Sequence, residues 1–272
     1  MTSESDLLAT ALRAAEAAAT VHRRYAGKLR GESVQRKGRA DFVSRVDLEA
    51  QHAALSVIRE RHPEHRILSE EDDGETGPST PAASHAEGPI WIVDPLDGTT
   101  NFLHDHPAYA ASVGVWTGGD AVAGAVIAEA TEERWWALRG EGAFRNGTRI
   151  RTSPLRDLST ALIGTGFPFK HPEQLPGYLK DFARVLLSTA GIRRGGAAAL
   201  DLCYLAQGSL DVFWEGTLAP WDIAAGVVIL REAGGVATRR GGGQIAADES
   251  GSVVAANSPE LLEAMHALLG DR

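Results

Sequence analysis

The spacing of apolar residues over the first sixty positions is that of amphipathic helices. It predicts an opening helix from about Asp6 to Lys28 and a second helix that starts near Ser44 and ends before Pro63. The predicted inner stripe of the first helix consists of Leu8, Leu12, Ala15 and Ala19. The predicted inner face of the second consists of Leu48, Leu55 and Ile58.

After residue 64 the pattern becomes that of strands. The segment HRILSEE at 65–71 predicts a short strand that ends in carboxylates, and WIVDPLDGTTNF at 91–102 predicts a buried strand followed by small polar residues. Residues 72–89 between them are a predicted polar loop. Three alternating runs then predict antiparallel strands of one sheet: YAASVGVW (109–116), AVAGAVIAEA (121–130) and ERWWALRG (133–140).

From Ser159 onward predicted strands and helices alternate. The strands are TALIGTGF (160–167), GIRRGG (191–196) and SLDVFWE (209–215), with helices near Leu179–Ser188 and over 197–208. The segment DIAAGVVILREAGG at 222–235 is apolar nearly all round, which predicts an interior helix closed by its two glycines. We therefore expect an α+β protein in layers, one domain over 1–272, with halves of about 1–155 and 156–272 that enclose the site.

Composition limits the classes of function. The chain has 272 residues, 43% of them hydrophobic, and a formal net charge of −9, so it can bury a large core but would repel a nucleic acid backbone. Its single cysteine, Cys203, excludes an intramolecular disulfide and is expected to be buried. With no secretory pattern at its start and no apolar run of about 18 residues, we expect a cytoplasmic protein without a membrane segment.

Five acidic residues stand out by their position at the ends of apolar elements. Glu70 and Glu71 end one predicted strand, Asp94 and Asp97 end another, and Asp222 opens the interior helix. If these carboxylates converge, their mutual repulsion requires cations. Oxygen ligands without a Cys or His cluster at zinc spacing favour a hard ion, and magnesium is the common one.

Each acid also has a purely structural interpretation. Residues 97–98 could form a turn, Asp222 could cap a helix, and Ser44–Asp47 fits a capping box. Together these explanations weaken, because a turn needs no second aspartate and a cap needs no neighbouring TTN at 99–101. The amides of Gly98 and Thr99 would then be available to a phosphate oxygen.

Two other segments carry misleading patterns. His104 and His106 in HDHP have the spacing of metal ligands, but no cysteine or third histidine accompanies them, and we expect a surface turn. GTGFPFK at 164–170 lacks the last glycine of a dinucleotide loop and the spacing of a Walker loop.

Taken together, the motifs resemble those of the magnesium-dependent inositol monophosphatases and their relatives. The signature DPLDGTTNF stands at 94–102 and PWDIAAGVVILREAGG at 220–235. The acidic SEE at 69–71 and DFVSRVD at 41–47 match in kind and order. The likeness covers nearly the whole chain.

The resemblance implies a fold, a metal site and a mechanism. The fold is the layered α/β/α/β/α sandwich of the inositol monophosphatase and fructose-1,6-bisphosphatase type, usually as a homodimer. Two or three Mg²⁺ ions would be held by Glu70, Asp94, the Leu96 carbonyl, Asp97 and Asp222. Thr99, paired with Asp47, would orient the attacking water, with Glu70 as its outer support. The resemblance also implies lithium sensitivity and no covalent phosphoenzyme.

Substrate contacts are implied in the same way. The substrate-binding residues would include Asp97, Gly98, Thr99 and Asp222. Glu215 would accept hydrogen bonds from ring hydroxyls, with Gly196 and Ala197 against the substrate; a solvated strand end is the alternative for Glu215. Gly196 stands where the family often has Thr or Ser, which predicts looser specificity. Arg193 and Arg194 could face the phosphate, a partner subunit or solvent.

Three functional hypotheses follow. The first is an inositol-1-monophosphatase that tolerates other small polyol monophosphates. The second keeps the site and changes the substrate to histidinol phosphate, fructose 1,6-bisphosphate or a nucleotide 3′-phosphate. The third is a binding partner of the transcription machinery, as some bacterial relatives are.

Overall fold

Seven α-helices, fourteen strands and three single-turn 3₁₀ helices make up the regular structure of the chain where it is described. The computed structural model describes residues 2–29, 45–71 and 88–270, and the backbone alone of 35–38 and 41–43. The helices are α1 (Glu4–Tyr25), α2 (Arg45–Arg61), α3 (Thr99–Leu103), α4 (Leu175–Ser188), α5 (Ala198–Ala206), α6 (Pro220–Glu232) and α7 (Pro259–Leu269). The strands are β1 (Gln35–Gly38), β2 (Asp41–Val43), β3 (Arg66–Ser69), β4 (Pro89–Asp97), β5 (Ala110–Thr117), β6 (Asp120–Ala128), β7 (Glu133–Leu138), β8 (Gly142–Arg145), β9 (Thr148–Ile150), β10 (Leu162–Thr165), β11 (Gly191–Arg193), β12 (Val212–Leu218), β13 (Val236–Thr238) and β14 (Gly251–Ala256). The predicted loop at 72–89 and the start of the second helix at Ser44 lie largely outside the described residues.

Helices α1 and α2 pack on each other and on one face of a sheet formed by β3 to β9 in sequence order. Strand β3 is parallel to β4 and the other pairs are antiparallel, so the predicted antiparallel arrangement of 109–140 is confirmed. A second sheet has the order β11-β10-β12-β14-β13. In it β10 runs parallel to β11 and β12, whereas β14 runs antiparallel to its neighbours.

The inner faces of the first two helices agree with the prediction only in part: Ala15 and Ala19 of α1 and Leu55 and Ile58 of α2 are buried as predicted. In α1 the buried side is formed mainly by Leu7 and a row of alanines, while Leu8 and Leu12 pack at its edge. In α2, Leu48 is 45% exposed, and Val46 and Ala50 are buried. Alanines allow the helix backbones to approach closely, so the larger leucines lie outside the closest contact. Helical spacing alone cannot choose between such adjacent stripes.

Helices α5 and α6 lie between the two sheets, and one core cluster joins their side chains to residues of both sheets. Every residue from Ile223 to Leu230 is buried, as predicted from the all-round apolar pattern. Two glycines let α6 approach the first sheet: a Cβ at Gly114 would lie 2.8 Å from Ala224, and one at Gly124 would lie 2.7 Å from the Ala225 oxygen.

Helices α4 and α7 cover the outer face of the second sheet. The layers are therefore helix, sheet, helix, sheet, helix, and the predicted α/β/α/β/α sandwich is confirmed. The division into halves near residue 155 stays a prediction. Among the described residues, no helix has both the length and the hydropathy needed to cross a bilayer.

Candidate active site

The strand that carries the first acidic motif is distorted at that motif. β4 continues through Asp97, and its pairing with β5 passes from Asp94 opposite Ser112 to Asp97 opposite Ala110. One strand advances three residues while the other advances two, which is the geometry of a β-bulge. Bulges redirect side chains, and here both aspartates face the same cavity.

Gly98 turns the chain from β4 into the short helix α3. Its φ of 89° and ψ of 36° are left-handed, a conformation that glycine adopts without steric cost. A Cβ at this position would also lie only 2.7 Å from the Ala108 carbonyl oxygen. The glycine of the motif is therefore required both by the turn and by the close approach of the backbone.

A cavity of about 460 Å³ brings together residues from both sheets and the helices between them. Of the residues predicted from the sequence, it is lined by Glu70, Asp94, Leu96, Asp97, Gly98, Thr99, Gly196, Ala197, Glu215 and Asp222. Asp47 is fully buried behind this wall and reaches it through Thr99, whose hydroxyl donates to Asp47 Oδ1 at 2.8 Å. Their roles as ligands or catalysts stay predictions at this stage.

Backbone amides hold one oxygen of each of three aspartates. The Leu96 amide donates to Asp94 Oδ1 at 2.9 Å, and the Ala199 amide of α5 donates to Asp97 Oδ2 at 2.8 Å. The Ala219 amide donates to Asp222 Oδ2 at 2.7 Å. Asp222 is the third residue of α6, and its side chain accepts a hydrogen bond from the backbone amide of the N-cap residue. The capping interpretation and a ligand role are therefore compatible.

These carboxylates destabilise one another's charged forms. Burial raises the pKa of Asp94 well above its usual value, and the charges of Glu70 and Asp97 raise it further. Burial also raises the pKa of Asp97, followed by the charge of Asp222. Groups in this state gain stability from any cation that enters the cavity.

The chemistry of the donor set fits magnesium, although the side chains do not form a finished coordination shell. Within the described ranges, no three His, Cys, Asp or Glu side chains are grouped closely enough to hold an ion. The electrostatic coupling of Asp94 to three other acids remains, because Coulomb interactions extend well beyond coordination distances. Oxygen donors alone, from carboxylates and a carbonyl, are what Mg²⁺ binds.

Glu215 also lines the cavity. Its carboxyl rests on the backbone of Gly166, where a Cβ would overlap it. Burial, then the charges of Asp222 and Asp201, raise the pKa of Glu215 to about 8, while Arg194 acts in the opposite direction. Burial and the neighbouring acids therefore favour the protonated form of this carboxyl.

Sequence reasoning missed the rim of the cavity. Residues 166–170 of the segment 164–170, which was set aside as a false phosphate loop, line it together with His171. Phe167 and Phe169 are 38% and 46% exposed, and the Arg194 guanidinium lies 5.4 and 4.8 Å from their ring centroids. Both arginines are exposed, but Arg194 lines the cavity and Arg193 does not. The available signal was a pair of phenylalanines on either side of Pro168, at the end of the predicted strand 160–167.

Asp201 was missed as well. It lies in α5, is 4% exposed and borders the same cavity. Burial raises its pKa to about 7, against the influence of Arg194. An aspartate inside the apolar stretch AAALDLCYLA was the available signal.

The expectations for the remaining candidates are confirmed. His104 and His106 are exposed in the turn after α3 and do not line the cavity. Cys203 is buried in the core, and burial raises the pKa of its thiol.

Known proteins are similar to this chain in sequence and in fold. Residues 3–271 match the inositol monophosphatase family. Over 232 residues the chain is 40% identical to the Nus factor SuhB of Pseudomonas aeruginosa, covering 85% of this chain and 84% of that protein. Over 209 residues it is 44% identical to the inositol-1-monophosphatase of Rhizobium meliloti, covering 77% and 76%. The crystal structure of the extragenic suppressor protein SuhB from Bartonella henselae superposes with a TM-score of 0.86 at 35% identity, covering 97% and 98%.

Proposed function

The chain belongs to the inositol monophosphatase family, and from this premise we propose that it is a Mg²⁺-dependent phosphate monoesterase acting as an inositol-1-monophosphatase. One observation carries the proposal: Glu70, Asp94, Asp97 and Asp222, from three distant segments, line a single cavity. A purely structural use of four acids would distribute them over the surface, where water stabilises their charge.

Two or three Mg²⁺ ions would be held by these four carboxylates and the Leu96 carbonyl. Bound there, the ions supply acidification of a water molecule and neutralise charge on the phosphate and the leaving oxygen. The protein contributes oxygens that backbone amides already orient, as for Asp94 and Asp97. It also contributes the repulsion between acids, which favours any state with cations.

Thr99 and Asp47 would orient the attacking water. The Thr99 hydroxyl has one proton, and it donates to Asp47 Oδ1 at 2.8 Å or to the Leu96 carbonyl at 3.2 Å. Its lone pairs are then available to accept a hydrogen bond from a water in the cavity. Glu70 would accept a second hydrogen bond and hold that water toward the phosphorus, and no covalent enzyme intermediate is needed.

The alcohol part of the substrate would lie between Glu215 and the Gly196–Ala197 backbone. A polyol offers O–H donors, and ionised Glu215 would accept them. Since Asp222 contributes to the raised pKa of Glu215, neutralisation of Asp222 by a cation would favour that ionised form. Recognition of the polyol is therefore expected to depend on magnesium.

A phosphate-release panel tests the proposal. Inositol 1-phosphate, histidinol phosphate, fructose 1,6-bisphosphate and a nucleotide 3′-phosphate are compared with and without Mg²⁺, and Li⁺ is added to the best pair. We expect Mg²⁺-dependent release with the highest kcat/KM for inositol 1-phosphate. A tenfold advantage for histidinol phosphate would replace the substrate, and release that is indifferent to a chelator would overturn the metal mechanism.

We further propose a homodimer that uses α4. Leu175, Leu179 and Leu186 are 43%, 53% and 50% exposed, and Leu187 is 87% exposed. Exposed leucines in this number on one helix are typical of an interface. Light scattering should give twice the mass of 28.9 kDa, and Leu179→Glu should reduce it to the monomer. A monomeric wild type at micromolar concentration would contradict the dimer.

Relatives carrying the name Nus factor favour a second candidate, a binding role in transcription. Pull-downs from lysate with wild type and with Asp97→Asn compare the two roles. A binding function keeps its transcription-machinery partners in the variant, whereas hydrolysis is lost. Absence of such partners from both proteins would remove this candidate.

A further inference from the structure

A histidine far from the acidic motifs in sequence contacts the backbone of one of them. His22 lies in the last turn of α1 and is completely buried. Its Nε2 lies 2.8 Å from the carbonyl oxygen of Pro95, 73 positions later. A carbonyl can only accept, so Nε2 carries the proton and donates.

The other ring nitrogen shows that this arrangement has a cost. Nδ1 of His22 is buried and has no hydrogen-bond partner among the described residues. A buried unsatisfied acceptor destabilises the folded state. The rings of Phe102 and Tyr109, with centroids 5.9 and 5.7 Å away, hold the imidazole in place. The hydrogen bond from Nε2 to Pro95 is therefore kept although the unsatisfied Nδ1 destabilises the folded state.

Pro95 needs this donor because it lies in the bulge of β4. The pairing of β4 with β5 passes from Asp94 to Asp97 without it, and the pairing with β3 ends at Val93. Pro95 is nevertheless buried. A buried carbonyl requires a hydrogen bond, and here an element outside the sheet provides it.

The bond also acts on the neighbouring acid. The Pro95 carbonyl and the Leu96 N–H belong to the same planar peptide group. That N–H donates to Asp94 Oδ1 at 2.9 Å. A chain of hydrogen bonds thus runs from His22 through the 95–96 peptide group to the Asp94 carboxylate. The hydrogen bond that His22 donates to the Pro95 carbonyl makes the Leu96 N–H a stronger donor.

We propose that His22 is a positioning residue of the acidic cavity, which fixes the 95–96 peptide and through the Leu96 amide orients the carboxylate of Asp94. It touches neither substrate nor reacting atoms. The 95–96 peptide group also directly precedes the Leu96 carbonyl. Loss of the His22 side chain would therefore disturb two predicted metal ligands together, the Asp94 carboxylate and the Leu96 carbonyl. The effect on metal affinity rests on the proposed function, whereas the effect on the peptide does not.

The test compares three substitutions at His22 with one control. His22→Leu keeps the volume and removes the donor, His22→Gln keeps a donor, and His22→Asn is too short to reach Pro95 and serves if the leucine variant does not fold. Thr10→Val is the matched control: Thr10 is buried in the same helix, and its hydrogen bond goes to His62 instead.

Two measurements are made, neither of which requires turnover. In metal-free protein, hydrogen exchange of the Leu96 amide should be about tenfold faster in His22→Leu and near wild type in His22→Gln and Thr10→Val. In calorimetric titration with Mg²⁺ alone, the Kd of His22→Leu should rise about tenfold. The Kd values of His22→Gln and Thr10→Val should stay within about twofold of wild type.

Unchanged exchange at Leu96 in His22→Leu would overturn the inference, as would an equal loss of metal affinity in Thr10→Val. A wild type that binds no Mg²⁺ would refute the proposed function. The exchange measurement would still decide the positioning role in that case.

Discussion

The Thr99 hydroxyl donates to Asp47 Oδ1 at 2.8 Å and so connects α3 to α2 across 52 positions of sequence. Asp47 is fully buried, and Thr99 is the residue through which it reaches the cavity. A buried carboxylate that accepts a hydrogen bond from a cavity-lining hydroxyl is suited to orienting that hydroxyl.

Thr99→Ala should lower kcat roughly 100-fold, the usual scale for a group that positions a reacting proton or water. The Kd for Mg²⁺ should change far less, because the carboxylates remain. Steady-state kinetics and calorimetry measure the two quantities, and Thr131→Ala, at an exposed site outside the cavity, is the control. A kcat within twofold of wild type would contradict the role of Thr99.

Asp94→Asn and Asp97→Asn should abolish turnover by roughly a thousandfold or more, since metal charge stabilisation of several kcal/mol is lost. In chelator the same variants should have a higher Tm than wild type. The pKa values of both carboxyl groups are raised in the folded state, so each group destabilises the folded protein at neutral pH. The uncharged asparagine side chain removes this destabilisation. Added Mg²⁺ should raise the Tm of wild type and have less effect on the variants. Calorimetry showing a lower Tm for both variants in chelator would refute the repulsion.

Glu215→Gln should raise KM for inositol 1-phosphate about tenfold, equivalent to one lost hydrogen bond to a charged group. Turnover of p-nitrophenyl phosphate, which has no polyol, should be spared. Glu173→Gln, at an exposed acid outside the cavity, is the control. If Glu215→Gln is silent on every substrate, the polyol contact is misplaced.

Acid stability should depend on His22. Burial lowers its pKa from 6.5 to about 4, so the folded protein keeps the ring neutral while the unfolded chain is protonated below 6.5. Above pH 6.5 the residue contributes no pH dependence; between 6.5 and 4 the free energy of unfolding falls as pH falls. From pH 7.5 to 5, His22→Gln should lose about 2 kcal/mol less than wild type in urea denaturation. Both proteins contain the buried aspartates, so the opposite pH trend in stability that these aspartates cause cancels in the difference. His52→Gln, at an exposed site, should follow wild type.

Local patterns along the sequence determined the elements and the identity of the acids. Period-two runs gave β5, β6 and β7, and the all-round apolar segment gave the interior helix α6, because burial on one face or on all faces leaves a direct record in residue order. The motifs at 94–102 and 220–235 also indicated the family, which the comparisons confirm.

Only the tertiary structure decided which faces meet and which distant groups touch. Leu48 lies outside the core, Arg194 but not Arg193 faces the cavity, and a histidine of α1 supplies the donor that a bulge in β4 lacks. The physical reason is the same in each case. Sequence spacing fixes the period of an element, but its rotation and its partners are set by close packing against elements that lie tens of residues away.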